Sequence, residues 1–160
     1  MVTLQQATAT LAKLSICEYN PANRRRSMSS AGADTGKRRE PRIALVVEDD
    51  ADCREMVRDT LADAGYVVLE AGNGAQALQL LLADGTPEPM VIVLDVWMPV
   101  MSGPELMKAL KGHDRLSQIP VILTSAGVAN VSYVEPGTAW LPKPFQPEHL
   151  LALVNNRCGA

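Results

Sequence analysis

Residues 90–103 read MVIVLDVWMPVMSG, and this stretch decides the fold. It opens with five apolar residues and no polar alternation, a pattern typical of a strand buried on both faces of a parallel sheet. The run then reaches Asp95, and Pro99 and Gly103 force a loop behind it. Ligands of open α/β sheets bind at the carboxyl ends of the strands. Asp95 is therefore either a site residue or an ordinary turn or capping residue.

Strand-like and helix-like segments alternate on both sides of this run. Four more aliphatic strands are predicted, at residues 42–47, 66–70, 119–124 and 138–141. Helices are predicted over about residues 51–64, 73–83 and 104–112 and from residue 147 onward. Residues 128–137 predict only a short or irregular fourth helix, because their valines, proline and glycine disfavour helix. The alternation predicts an α/β fold with a doubly wound parallel sheet.

Charge divides the 160 residues into two parts. Residues 1–40 carry seven basic and three acidic side chains, and their polar, Ser- and Ala-rich second half predicts a disordered basic tail. Residues 41–160 carry eight basic and fifteen acidic side chains and form the predicted domain. An acidic body disfavours nucleic-acid binding. The tail is the only part that offers such binding, and no aromatic residues lie between its basic clusters.

Cysteine spacing and hydropathy bear on location. The three cysteines, at positions 17, 53 and 158, give neither metal-binding CxxC spacing nor a plausible disulfide framework. No apolar stretch approaches the ~20 residues of a membrane span, and the first residues lack the pattern of a secretory signal. We therefore expect a cytoplasmic protein that does not bind membranes.

Chemically complementary groups follow four of the predicted strands. In chain order they are Glu48, Asp49, Asp50, Asp95, Ser125 and Lys143. In a parallel sheet these strand ends share one edge, and carboxylates that meet there raise one another's pKa unless a cation neutralises them. Mg²⁺ accepts such carboxylates and a carbonyl oxygen as ligands. With an ammonium and a hydroxyl nearby, the set is suited to phosphoryl transfer onto a carboxylate. The sequence has no Gly-rich phosphate loop, so nucleotide binding is not indicated.

Four stretches together resemble the receiver domain of two-component response regulators. They are residues 45–50 (LVVEDD), 93–99 (VLDVWMP) with Ser102-Gly103, 119–126 (IPVILTSA) and 143–145 (KPF). The resemblance covers about residues 41–156. It implies the flavodoxin-like, CheY-like fold, in which five parallel strands form a sheet in the order 2-1-3-4-5.

The resemblance also implies a role for each matched acidic residue. Asp95 corresponds to the phospho-acceptor and is a direct ligand of Mg²⁺. Glu48 and Asp49 correspond to the acidic pair that organises the metal, and Trp97 supplies its backbone carbonyl. Asp50, which adjoins the pair, is a candidate of second rank.

Three further residues correspond to the parts that sense phosphorylation. Ser125 matches the switch hydroxyl, because it lies five residues after Pro120, the family's spacing. Lys143 matches the ion-pairing lysine, and its bond to Pro144 resembles the family's cis peptide. Trp140, three residues before Lys143, falls at the switch aromatic.

Three departures from the common pattern carry expectations of their own. The irregular fourth helix argues against signalling or dimerisation through the usual fourth-helix face. Trp140 is larger than the commoner Tyr or Phe and is expected to move inward less freely. Trp97 places an apolar ring two residues after Asp95, where we expect it to obstruct water and slow self-dephosphorylation.

These features predict a phosphorylation-dependent signalling switch without an output domain of its own. Its partners would be a histidine kinase or phosphotransfer protein and an unknown downstream protein, and it would not be a turnover enzyme. One alternative is a receiver-fold interaction module that works without phosphorylation. Another is a Mg²⁺-dependent phosphatase, which would need an acidic group at the position of Trp97. The sequence leaves the oligomeric state open.

Overall fold

The computed structural model describes residues 41–127 and 138–159. Five parallel strands form one sheet in the order β2-β1-β3-β4-β5. The strands are β1 (Arg42–Val47), β2 (Tyr66–Ala71), β3 (Val91–Asp95), β4 (Val121–Ser125) and β5 (Ala139–Pro142). The predicted fold class and strand order are thus confirmed. Within the described residues, no helix has the length and apolar character needed to cross a membrane.

Among the described residues, four helices connect or follow these strands. They are α1 (Ala51–Asp63), α2 (Gly74–Leu82), α3 (Gly103–Lys111) and α4 (Pro147–Cys158), and a 3₁₀ turn spans Leu116–Gln118. Local capping sets the start of the first two helices, because Asp50 accepts a hydrogen bond from the Cys53 amide and Asn73 accepts one from the Gln76 amide. Gly65 follows α1 at φ +87°, a conformation that glycine adopts without strain.

The strand interiors form the core. Every residue of β3 is buried, as its unbroken apolar run predicts. On one face of the sheet, alternate residues of the strands pack with α1 and α4 around Val57, Leu61, Leu150 and Val154. Helices α2 and α3 contact each other. The sheet therefore lies between helices and presents its carboxyl edge to the loops that carry the polar groups.

Several predicted boundaries need correction. The buried strand β3 extends one residue beyond its apolar run and ends at Asp95, because Asp95 still pairs with Thr124 of β4. Strand β4 begins at Val121 and not at residue 119, because the Ile119 amide donates to Leu116 of the 3₁₀ turn and Pro120 has no amide hydrogen to donate to the sheet. The predicted tail of residues 1–40 and the predicted irregular helix at residues 128–137 lie outside the described residues.

Candidate functional site

The ends of β1 and β3 bring two carboxylates into the carboxyl edge of the sheet. Glu48 directly follows β1 and keeps that strand's pairing, since its amide donates to the Ala71 carbonyl at 3.1 Å. Asp95 is the last residue of β3. Their exposed fractions are only 4% and 5%. Each carboxylate is thus held by a strand and largely removed from water, so a nearby cation is required.

Lys143 supplies that cation. Its Nζ lies 2.6 Å from Glu48 Oε2 and 2.9 Å from Asp95 Oδ1. The lysine directly follows β5, and its own amide donates to the Ser125 carbonyl at 2.8 Å. The peptide bond between Lys143 and Pro144 is cis, as the resemblance implied. A single ammonium therefore bridges the ends of two strands that are not neighbours of its own strand.

The pKa shifts follow from this arrangement. Burial raises the pKa of Glu48, and the charges of Asp95 and Asp49 add to the rise, while the hydrogen bond and charge of Lys143 oppose it. Burial alone would lower the pKa of Lys143, but its hydrogen bonds to Glu48 and Asp95 and their charges raise it overall. The lysine therefore remains charged at neutral pH, and its charge favours the ionised form of Glu48.

Three carboxylates form a group suited to a hard metal ion. Glu48, Asp49 and Asp95 each offer an oxygen, and the three oxygens lie within 4.8 Å of one another. Asp49 is exposed, so the group opens to solvent on its side. Such a set of oxygen donors fits Mg²⁺, which keeps several of its waters. Asp50 has a different part, because its side chain caps α1 and the hydrogen bonds from Cys53 lower its pKa.

The first residues of the loop from β3 to α3 hold the Asp95 carboxylate in place. The Trp97 amide donates to Asp95 Oδ2 at 3.1 Å, so backbone and ammonium each hold one oxygen of this carboxylate. Gly103 lies so close that an added Cβ would sit 2.5 Å from the Asp95 carbonyl oxygen. Glycine at this position is therefore a packing requirement of the site.

The tip of the same loop is a strained turn. The Met101 amide donates to the Pro99 carbonyl at 2.8 Å, which closes a three-residue γ-turn around Val100. Val100 has φ +70°, an unfavourable value for a β-branched residue, and is 84% exposed. The Met101 carbonyl accepts from the Gly74 amide at 3.1 Å, and a Cβ on Gly74 would lie 2.7 Å from Met101 Cγ. The first residue of α2 thus fixes this turn from outside.

The remaining predicted residues lie around this centre. Ser125 is fully buried at the end of β4, where its hydroxyl accepts from the Gly127 amide at 3.3 Å. Trp140 is half-buried in β5 and pairs in register with Leu123. The Trp97 side chain is 66% exposed. The structure thus joins Glu48, Asp49, Asp95 and Lys143 directly and places Ser125 at an adjacent strand end.

Sequence reasoning missed Arg54, which contacts the main chain of the acidic pair. Its side chain leaves α1 and donates to the Glu48 carbonyl at 2.7 Å. Arg54 lies six residues after Glu48 in the sequence, a spacing that matches no familiar motif. Its partners are main-chain carbonyls, which every residue carries, so the sequence does not indicate the contact. An arginine near the start of a helix, where cations are disfavoured by the helix dipole, is the one signal available.

Comparison with known proteins agrees with this geometry. The family model described as response regulator receiver domain matches residues 44–155. Chemotaxis protein CheY1 of Helicobacter pylori is 35% identical over 111 residues, which cover 66% of this chain and 88% of CheY1. The probable transcriptional regulator ycf29 of Pyropia yezoensis is 35% identical over 116 residues, which cover 70% of this chain.

A solved structure shows the same similarity. Chemotaxis protein CheY4 of Vibrio cholerae has a TM-score of 0.65 and 32% identity, and the match covers 73% of this chain and 98% of that one. Other relatives are longer. The match spans 51% of ycf29, and 46% of response regulator MprA of Mycobacterium tuberculosis, which is 37% identical over 112 residues and 68% of this chain. The chain therefore spans about half the length of these regulators.

Proposed function

Because the chain belongs to the family of response regulator receiver domains, we propose that it is a signalling switch phosphorylated on Asp95. The observation that carries the proposal is the bridging ammonium of Lys143, 2.9 Å from Asp95 and 2.6 Å from Glu48. It places a positive charge directly on a buried carboxylate, beside an acidic group that can hold a metal ion. The phosphoryl donor would be a phosphohistidine of a histidine kinase or phosphotransfer protein.

The transfer requires one bond to form and one to break. A carboxylate oxygen of Asp95 attacks the phosphorus, the phosphorus–nitrogen bond of the donor breaks, and its electron pair stays on the imidazole. Lys143 offsets charge on the acceptor, and the Trp97 amide holds the second carboxylate oxygen. The product is an acyl phosphate that retains the ion-pairing lysine beside it.

Magnesium fits the acidic group, and Glu48, Asp49 and Asp95 would hold it together with the carbonyl of Trp97. When bound, the ion supplies positive charge that offsets the negative charge of the carboxylates and the phosphoryl oxygens. Hydrolysis of the acyl phosphate returns the same site to its starting state. On this proposal the protein modifies itself and does not turn over a separate substrate.

Signalling follows from the groups around the acceptor. In our proposal the buried Ser125 hydroxyl exchanges the Gly127 amide for a phosphoryl oxygen, and the half-buried Trp140 follows it. This displacement would favour one of two surface states that a downstream protein distinguishes. We place this exchange in the cytoplasm, where histidine kinases present their phosphorylated domains.

Intact-mass measurement tests the proposal. Wild-type protein is incubated with MgCl₂ and acetyl phosphate, and we expect an adduct of one phosphoryl group that is released by hydroxylamine, which cleaves acyl phosphates. Asp95→Asn should form no such adduct. Asp114→Asn, which changes an exposed aspartate outside the site, should be modified like wild type.

The alternatives give different results in the same assay. A wild-type protein that forms no adduct with acetyl phosphate, phosphoramidate or a panel of autophosphorylated kinases would favour an interaction module that works without phosphorylation. Multiple turnover of the donor, without accumulation of the adduct, would favour a phosphatase.

The Trp97 side chain is proposed to slow loss of the phosphoryl group. Trp97 lies two residues after Asp95 and carries an apolar ring. We expect this ring to obstruct the in-line attack of water on the acyl phosphate. Trp97→Asn protein, loaded with labelled acetyl phosphate and freed of donor, should then lose its label faster than wild type. Equal rates of loss would contradict the proposed shielding while leaving phosphorylation of Asp95 intact.

A further inference from the structure

The connection between β1 and α1 carries two members of the acidic group on very few residues. Its start is fixed, because the Glu48 amide donates to Ala71 of β2 at 3.1 Å. Its end is fixed as well, because Asp50 caps α1 through the Cys53 amide at 2.8 Å. Between these points the chain leaves the sheet, so the carbonyls of Glu48 and Asp49 need partners other than a neighbouring strand.

Arg54 provides those partners from the helix that follows. Its NH1 nitrogen donates a hydrogen bond to the Glu48 carbonyl at 2.7 Å and a longer one to the Asp49 carbonyl at 3.4 Å. Its Nε lies 3.5 Å from Oε2 of Glu70, a residue of β2. One guanidinium thus joins α1, the connection and the neighbouring strand, and its planar group leaves little freedom to the carbonyls it binds.

We propose that Arg54 is a positioning residue for the divalent-metal site, acting through the main chain of Glu48 and Asp49. The inference rests on the proposed function, because it assigns the acidic group to Mg²⁺. The Arg54 side chain donates to the carbonyls of Glu48 and Asp49 and pairs with Glu70, so it acts on the acidic group through the main chain. It sets the backbone from which two of the three carboxylates project, and a loss of this support would spread them.

A purely electrostatic role for Arg54 predicts the opposite sign. A guanidinium near a cation site repels the incoming metal, so removing its charge would strengthen metal binding. Its charge is already paired with Glu70, which also lies 3.9 Å from Arg58. Positioning through the carbonyls instead predicts that removal weakens metal binding. The sign of the change therefore distinguishes the two roles.

Arg58 offers a matched control, since it lies one turn further along α1. It shares Glu70 with Arg54, but its hydrogen bonds go to Glu55 and Asp59, on the helix itself. Arg58→Gln removes the same charge from the same helix without touching the carbonyls of the acidic pair. Arg54→Lys keeps the positive charge but replaces the planar guanidinium, with its several donors, by a single ammonium group.

The experiment is a titration of full-length protein with MgCl₂ at constant ionic strength, followed by the fluorescence of the two tryptophans and checked by calorimetry. We expect Arg54→Gln to weaken Mg²⁺ binding about tenfold, the lower end of the loss seen when groups that orient metal ligands are removed. Arg58→Gln should match wild type, and Arg54→Lys should lie between wild type and Arg54→Gln. Urea unfolding of each variant shows that the native state is populated in the assay.

The failures are distinguishable. Equal or tighter Mg²⁺ binding by Arg54→Gln, or an equal loss in Arg58→Gln, overturns the positioning role while leaving the proposed function standing. Should Arg54→Gln not fold, Arg54→Lys decides, and wild-type affinity in that variant overturns the inference. Wild-type protein that binds no Mg²⁺ overturns the metal site of the proposed function and the inference with it.

Discussion

Replacing Lys143 by Met removes an ammonium that bridges two buried carboxylates. Its Nζ lies 2.6 Å from Glu48 and 2.9 Å from Asp95, and methionine keeps much of the side chain's length without its charge. Removing one partner of a buried ion pair destabilises a protein by about 3–5 kcal/mol. The Lys143 side chain is 19% exposed, so water moderates the effect, and we expect a loss of about 3 kcal/mol at neutral pH.

The loss should depend on pH in a defined direction. In Lys143→Met, Glu48 loses the hydrogen bond and charge that lower its pKa and keeps the burial and neighbouring charges that raise it. A carboxyl with a raised pKa in the folded state contributes stability below its unfolded pKa and loses it as pH rises through the folded pKa. The deficit against wild type should therefore be largest near neutral pH and shrink as the pH falls towards the carboxyl range.

Urea unfolding followed by far-ultraviolet circular dichroism measures this deficit at neutral pH and at successively lower pH values down to the range in which free carboxyl groups titrate. Lys108→Met is the control, because it makes the same chemical change at an exposed position of α3 and should stay within about 0.5 kcal/mol of wild type. A deficit below about 1 kcal/mol at neutral pH, less than a buried ion pair implies, would refute the reasoning. So would a deficit that is unchanged at acidic pH.

Three further predictions concern the loop that follows β3. Gly103→Ala should destabilise the protein by about 2 kcal/mol, because the new Cβ would meet backbone at 2.5 Å, whereas Gly127→Ala, which meets nothing within 4 Å, should change little in the same urea assay. Val100→Gly should stabilise the protein by about 0.5–1 kcal/mol by relieving the positive φ, and a fall in the urea midpoint would contradict the strain. Glu105 accepts hydrogen bonds from the Ser102 amide and hydroxyl, which lower its pKa. The stability it contributes is present above its unfolded pKa and lost as pH falls through the folded pKa, so Glu105→Gln should be less stable than wild type at neutral pH and indistinguishable from it in strong acid.

Much of the fold was predictable because the strongest local pattern coincides with the deepest burial. The unbroken apolar run before Asp95 is typical of a strand covered on both faces, and all of β3 is buried. Once the strands are parallel, their carboxyl ends share an edge, which brings Glu48, Asp95 and Lys143 together from distant parts of the chain. These contacts depend on topology more than on local detail.

The details that sequence reasoning missed arise from packing between elements. Val100 has a high strand propensity, yet its φ of +70° is imposed by a turn that Gly74 of α2 holds through the Met101 carbonyl. Asp50 seemed to belong with the acidic pair, but the start of α1 takes its side chain as a cap. Arg54 acts on carbonyl groups, which every residue carries and which therefore give no signal in the sequence.

The bridge between Glu48 and Lys143 also determines when, during synthesis of the chain, the site can be completed. The two residues are separated by 95 positions in the chain. At a synthesis rate of about 5–20 residues per second, the ribosome makes Glu48 about 5–20 seconds before the lysine that neutralises it. Glu48 and Asp95 are therefore both synthesised before the lysine that pairs with them, and the bridge cannot form until β5 has been made. If Asp95 is the phospho-acceptor, as we propose, a chain that lacks β5 also lacks the lysine bridge, and phosphorylation would be confined to the completed sheet.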